Sequence, residues 1–164
     1  MRVESPAPAA RILGRFVSVE ELDQQILRLL TADGRMSYTD LGRATGLSTS
    51  AVHQRVRKLE ERGVILGYTT VVDPVAVGLP LTAFISVTPL DPAAPDDSPE
   101  RLVKLTQIEG CYSVAGEESY ILKVRVPSPG DLEALLAQIR AAANVRTRTT
   151  VVLSTPYEGR PPAF

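Results

Sequence analysis

With 164 residues, 44% of them apolar, the chain has material for one large domain or two small ones. A formal net charge of -1 points to no class of partner, since a nucleic-acid reader can be near neutral when its basic residues sit on one face. The single cysteine, Cys111, excludes an intrachain disulfide and a cysteine-based metal site; it reads as an ordinary buried strand residue in a reduced cytoplasm.

Residues 1–17, MRVESPAPAARILGRFV, are Pro/Ala-rich and lack a continuous apolar stretch, so they read as a flexible tail and not as a secretory leader. No run of about 18 apolar residues occurs, and no membrane partner is expected. Residues 18–73 then carry a helical pattern broken by short turns. SVEELDQQILRLLTADG places Leu22, Ile26, Leu29 and Leu30 on one stripe, with Ser18 as the expected cap, Glu21 as its reciprocal partner and Gly34 as the stop. SYTDLGRATG predicts a short second helix with Leu41 and Ala44 inward, closed by Gly46; Thr39 reads as a local cap. LSTSAVHQRVRKLEERG predicts a third, capped by Ser48, ended by Gly63 and buried along Val52, Val56 and Leu59. The β-branched run VILGYTTVVD then reads as a strand. Three helices and a strand form a winged helix-turn-helix pattern.

DPVAVGLP, with Pro74, Gly78 and Pro80 as breakers, gives a linker over 74–80. Residues 81–157 read β-α-β-β-α-β, from LTAFISVTPL through a helix in DDSPERLVKLTQIEG, CYSVAG, an EES turn, YILKVRVP, a helix in PGDLEALLAQIRAAAN with Leu132, Leu135, Leu136 and Ile139 inward, and VRTRTTVVLST. That order is the ferredoxin-like sandwich, so the fold class is α+β: an N-terminal winged helix-turn-helix domain and a C-terminal βαββαβ domain, with residues 158–164 a terminal tail. Helices on one face leave the other uncovered, and a face carrying Ile, Val and Phe predicts association.

On the third helix, Ser50, His53, Gln54 and Arg57 fall opposite the apolar stripe. Gln can bridge the N6/N7 edge of adenine and Arg the O6/N7 edge of guanine. Ser48, Thr49 and Ser50 at the helix start suit phosphate. An amphipathic helix with a solvated polar face would look the same in isolation. The preceding helix-turn and the cations Arg55, Arg57, Lys58 and Arg62 favour a helix that reads double-stranded DNA. Arg55 borders the apolar stripe, and either braces the fold or reaches phosphate from the flank. Bulk charge adds little: residues 1–73 hold ten Lys/Arg and nine Asp/Glu, residues 74–164 eight and ten. His53 is the only histidine and has no ligand-spaced Cys or carboxylate cluster, so no catalytic residue, metal or cofactor is assigned.

The stretch ELDQQILRLLTADGRMSYTDLGRATGLSTSAVHQRVRKLEERGVILGYTTVVD closely resembles the DNA-binding domain of the Lrp/AsnC (leucine-responsive, or feast/famine) family of transcription regulators, with Gly42 where that pattern usually has Ala. The βαββαβ block is similar to the family's ligand-sensing and assembly domain. The resemblance implies a transcription regulator, not an enzyme. It implies a homodimer built through sheet faces and assembling to an octamer, and an amino-acid effector that biases assembly or DNA affinity. In the family a Gly-x-x-Asp-Tyr turn helps hold the effector. Here the turn is Gly116, Glu117, Glu118, Ser119, Tyr120, with Ser119 in place of the Asp. Glu117 or Glu118 would take the effector's ammonium and backbone N–H groups at Gly116 its carboxylate; a simple hairpin turn with solvated carboxylates is the alternative. Ser113, Thr147 and Thr149 are further candidate pocket walls, while Arg146 and Arg148 suit subunit contacts. Two other functions fit this architecture: a DNA-compacting protein with little sequence choice, and a sirohaem decarboxylase-like enzyme. The enzyme would need ionisable groups such as histidine in the sheet domain, and no histidine follows His53.

Overall fold

The computed structural model describes residues 19–93 and 95–164; the expected tail over 1–17 and the Ser18 cap lie outside them. The chain divides into two units. One contains the described residues up to Thr69 together with Gly159–Phe164, the other Thr70–Glu158.

The first unit is trihelical: α1 (Glu21–Ala32), α2 (Tyr38–Thr45) and α3 (Thr49–Glu61). Ile26, Leu41, Val52 and Val56 are fully buried together, with Leu29, Leu30, Met36, Tyr38, Leu47 and Ile65 packed around them. Leu59, the third residue of the expected α3 stripe, is also fully buried. The N-cap of α1 is Glu20, whose side chain makes no capping hydrogen bond. The cap of α2 is Ser37 and not Thr39: Ser37 Oγ accepts from the Asp40 N–H and donates to the Asp40 carboxylate, a reciprocal box at one turn's spacing. Gly46, at φ 73°, closes the helix in the left-handed conformation that glycine adopts without penalty.

Ala44 was expected inward and is exposed; Gly42 is buried in its stead. A Cβ on Gly42 would stand 2.6 Å from the carbonyl oxygen of Leu47, whose own N–H donates to the Gly42 carbonyl at 3.0 Å. The turn into α3 therefore closes directly over this position, and a side chain here would force the turn to shift.

The strand expected in VILGYTTVVD does not form: residues 64–73 hold no strand. A strand is stable only when its N–H and C=O groups pair, and this segment has no pairing partner among the described residues. Its apolar residues stay out, with Leu66, Tyr68, Val71 and Val72 all exposed. Among the described residues the wing strand is thus absent, although Tyr68 is held to α3 by its hydroxyl, which donates to Glu60 at 3.0 Å. The Pro-Gly linker that follows is a run of turns, with Leu79 N–H bonded to the Pro74 carbonyl.

The second unit contains β1 (Leu81–Pro89), α4 (Ser98–Leu102), β2 (Ile108–Ser113), β3 (Tyr120–Val126), α5 (Pro129–Ala143) and β4 (Val145–Val151). The sheet order is β2-β3-β1-β4 with every pair antiparallel, which is the expected ferredoxin-like arrangement. Ala83, Ile85 and Val87 of β1 and Tyr120, Leu122, Val124 and Val126 of β3 share one core with Leu102, Leu132, Leu135 and Ile139 of the helices; Leu136 is partly buried beside them. α5 is capped by Ser128, carries Pro129 in its first turn and ends at Asn144 with φ 54°.

Two boundaries differ from expectation. α4 is a single short helix, and Val103 beyond it is exposed. β2 starts at Ile108, three residues earlier than expected, so the turn into β3 spans 114–119 and not only EES. Cys111 lies in a strand as expected but is exposed, not buried. It is in register with Leu122, on the helix side, yet β2 is the sheet edge and the short α4 leaves it uncovered. Its thiol is sheltered enough that burial, then Glu100, raise its pKa above the usual value, which disfavours the reactive thiolate.

Candidate DNA-reading face and ligand pocket

α3 keeps its apolar side in the trihelical core, so the opposite side is turned to solvent. Thr49, Ser50, His53, Gln54 and Arg57 are all exposed there. Ser48 Oγ accepts from the Ala51 N–H at 3.2 Å and lies 3.1 Å from Ser50 Oγ, which fixes the start of the helix. The His53 ring stands edge-on to Tyr38, with centroids 5.3 Å apart, so this exposed side of α3 is steadied against α2. Arg57 Nε is 2.8 Å from Glu61, one turn on; this exposed pair is worth little and is easily exchanged for another anion.

Arg55 is engaged within the helical unit. Its guanidinium is 2.8 Å from Asp23 and 3.0 Å from Glu20, both at the start of α1. Asp23 is buried, and its hydrogen bond heads the causes that raise the Arg55 pKa. Arg55 thus ties α3 to α1 through Asp23 and Glu20.

The second candidate site is a cavity of about 250 Å³ in the sheet unit, lined by Ser86, Thr88, Glu117, Glu118, Arg146, Thr147 and Arg148. It lies on the sheet face away from the helices. Strand alternation determines this: Ile85 and Val87 point into the core, so Ser86 and Thr88 point out. Arg148 pairs across with Ser86 and Arg146 with Thr88. The turn over 114–119 reaches the same place because the Ser119 N–H donates to the Val87 carbonyl at 3.0 Å while its carbonyl accepts from Val114. Glu118 is clasped by Arg148. A hydrogen bond from its own backbone, the Arg148 charge and the Ser86 hydroxyl together hold its carboxyl below the usual glutamate range.

Of the expected effector residues, Glu117, Glu118 and Thr147 line this cavity; Ser113, Gly116, Ser119 and Thr149 do not. Thr147 and Thr149 are in register with Val87 and Ile85, on the helix face, and the Thr147 hydroxyl accepts from Arg140 of α5. Arg146 and Arg148, which alternate with the threonines along β4, line the cavity beside Thr147. Ser86, Thr88, Arg146 and Arg148 were not foreseen as pocket residues. The available signal was parity: in VRTRTTV the threonines and arginines alternate, and arginines cannot occupy the packed face.

An AsnC-type helix-turn-helix domain matches residues 20–60 and an Lrp/AsnC ligand binding domain matches residues 82–162. The chain belongs to the Lrp/AsnC family. It is 52% identical over 143 residues to the HTH-type transcriptional regulator LrpA of Mycobacterium tuberculosis, covering 87% of this chain and 95% of that protein. It is 36% identical over 140 residues to the leucine-responsive regulatory protein of Escherichia coli, covering 82% and 85%. Among solved structures, the feast or famine regulatory protein of M. tuberculosis complexed with L-methionine superimposes with a TM-score of 0.87 at 52% identity, over 88% of this chain and 99% of that one. The protein is therefore a helix-turn-helix transcription regulator of this family. Among the described residues, no helix is long and apolar enough to cross a membrane, and no group of His, Cys, Asp and Glu could hold a metal ion.

Proposed function

We propose that the protein reads specific double-stranded DNA through α3 and that an amino acid held in the sheet unit sets its assembly or its DNA affinity. The observation that carries the DNA half is the division of α3: Val52, Val56 and Leu59 fully buried, with His53, Gln54 and Arg57 exposed opposite them. In this reading Gln54 and Arg57 meet base edges, His53 supports them, and Ser48, Thr49 and Ser50 approach phosphate at the positive end of the helix. The effector half draws on the cavity beside Glu117 and Glu118 and on the L-methionine bound to the M. tuberculosis relative. Residues 18–73 would read DNA and residues 81–157 would sense and assemble.

Assembly as a homodimer and then a larger ring, an octamer in the family's manner, is favoured by unpaired apolar surface. Leu66, Val71 and Val72 are exposed in a segment with strand-forming composition, and Phe84 and Tyr112 are exposed on the sheet unit. The protein would work in the cytoplasm and not as an enzyme. Footprinting at moderate salt against random competitor DNA tests the reading, with light scattering in the presence of each of the twenty amino acids. Discrete protected sites and an amino-acid-dependent change in mass are expected; uniform coverage of DNA at all concentrations would defeat sequence-specific reading.

A further inference from the structure

Asp23 is only 6% exposed, and among the described residues it is the one buried side chain that carries a charge. It stands in the first turn of α1, three residues before the fully buried Ile26, so it lies on the side of α1 that faces the helical core. A carboxylate is costly to bury, and well-packed apolar residues would stabilise such a contact as well or better. What they would not supply is direction. One nitrogen of the Arg55 guanidinium is 2.8 Å from Asp23 and 3.0 Å from Glu20. Arg55 is in the same turn of α3 as Gln54 and Arg57, and it directly precedes Val56 of the apolar stripe. The stripe holds α3 by contacts that have no preferred direction, which leaves rotation about the helix axis soft. A side-chain tip lies about 6 Å from that axis, so a rotation of about 10° moves it by about 1 Å. A hydrogen bond tolerates about half of that, since its donor-to-acceptor distance spans about 2.7 to 3.2 Å.

Resting on the reading that Gln54 and Arg57 meet base edges, we propose that Asp23 is a specificity-determining positioning residue. It holds Arg55, Arg55 fixes the rotation of α3, and that rotation sets how squarely Gln54 and Arg57 present to the bases. Attraction to phosphate acts through charge over a longer range and is insensitive to a shift of this size. The buried pair therefore governs discrimination between sequences and not affinity for DNA in general. Its contribution is aim, not stability.

The test uses the full-length protein and two duplexes, one selected by the protein from a random pool and a scrambled one of the same composition. Fluorescence anisotropy gives the ratio of the two affinities. Asp23→Leu combined with Arg55→Met replaces the ion pair by apolar side chains, and its circular dichroism melt should lie at or above the parent's. The ratio should nonetheless fall about 10- to 100-fold, through lost affinity for the selected duplex alone. Asp23→Asn, which leaves Arg55 in place, should lower the ratio in the same direction. Adding the apolar pair to Gln54→Ala with Arg57→Ala should change the ratio no further, because Asp23 acts through those two side chains. An apolar pair that keeps the parent's ratio overturns the proposal. So does one that weakens both duplexes equally with a shallower salt dependence, which makes Arg55 a phosphate contact. A melt far below the parent's overturns it too, and makes the pair a source of stability. In each of these cases the reading of DNA by α3 stands. If Gln54→Ala with Arg57→Ala itself keeps the parent's ratio, that reading fails and the proposal with it.

Discussion

The helical unit and the sheet unit place their functional groups in different ways. On α3 the candidate reading residues come from one continuous element, and a small cluster of buried side chains behind it is enough to aim all of them. In the sheet unit the cavity draws on β1, β4 and the turn between β2 and β3, which are far apart in sequence and meet only through strand register. The first site depends on one helix being straight and anchored. The second depends on a whole sheet, and it has the larger core to hold it. A helix face can therefore be altered residue by residue without disturbing its frame, whereas the cavity and its frame share strands.

The largest expected effect tests that separability. Gln54→Ala with Arg57→Ala removes two candidate base contacts, each worth about 1–3 kcal/mol of discrimination, so specific affinity should fall toward the level of random DNA. Fluorescence anisotropy with specific and scrambled duplexes would measure it. Circular dichroism and light scattering should be unchanged because both side chains are exposed. A double variant that binds its specific duplex as before would show that α3 is not the reading element.

Core truncation comes next. Ile26→Ala and Leu122→Ala each remove a fully buried side chain and should each cost about 2–5 kcal/mol. The consequences should differ. A unit of about 70 residues or fewer rarely holds more than about 3–5 kcal/mol, so the first change should abolish cooperative unfolding of the helical unit. The second should lower the urea midpoint of the sheet unit and leave it folded. Urea titration followed by far-ultraviolet circular dichroism distinguishes the two. Equal midpoint shifts would mean that the units do not differ in reserve.

The same contrast explains what could be read from the sequence. Period-3.6 burial lies within a single window, so the α3 stripe and its polar face were legible from Val52, Val56 and Leu59 alone. Gly46 and Ser48 marked the turn because capping chemistry is local. The cavity was legible only in part. Glu117, Glu118 and Thr147 were visible, but Arg146 and Arg148 read as subunit contacts, because the parity of β4 is set by its pairing with β1 and not by β4 itself. The segment over 64–73 had the composition of a strand and no partner, and composition does not report partners. Arg55 was ambiguous because its role depends on Asp23, a residue 32 positions away.

Two glycines sharpen the comparison with smaller effects. Gly42→Ala forces a Cβ to within 2.6 Å of the Leu47 carbonyl and should cost about 1–3 kcal/mol by overpacking the turn that aims α3. Gly116→Ala meets nothing closer than a Glu118 carboxylate oxygen at 3.8 Å, the end of a flexible side chain, and should change stability by less than about 0.5 kcal/mol. Thermal melts of the two variants side by side measure the difference. If Gly116→Ala is the more damaging, the turn has a backbone requirement that its open surroundings do not reveal.

The smallest effect is a titration. The Glu118 carboxyl is held below the ordinary glutamate value of 4.5, first by a hydrogen bond from its own backbone and then by Arg148 and Ser86. A depressed carboxylate contributes stability that is fully present above its unfolded value and is lost as pH falls through its folded value. Between pH 7 and pH 5 the clasp on Arg148 should therefore be constant. Below the ordinary glutamate range it should weaken, releasing Arg148 and the turn that lines the cavity. Glu118→Gln removes the titrating group, so the urea midpoint of the variant should fall less steeply with acid than that of the parent. The effect is small because Arg148 is exposed and salt screens it; raising the ionic strength should bring the two curves together. If the two curves are already parallel at low salt, the Arg148 clasp contributes nothing to the sheet unit, and the cavity wall is set by the Ser119 to Val87 backbone bond alone.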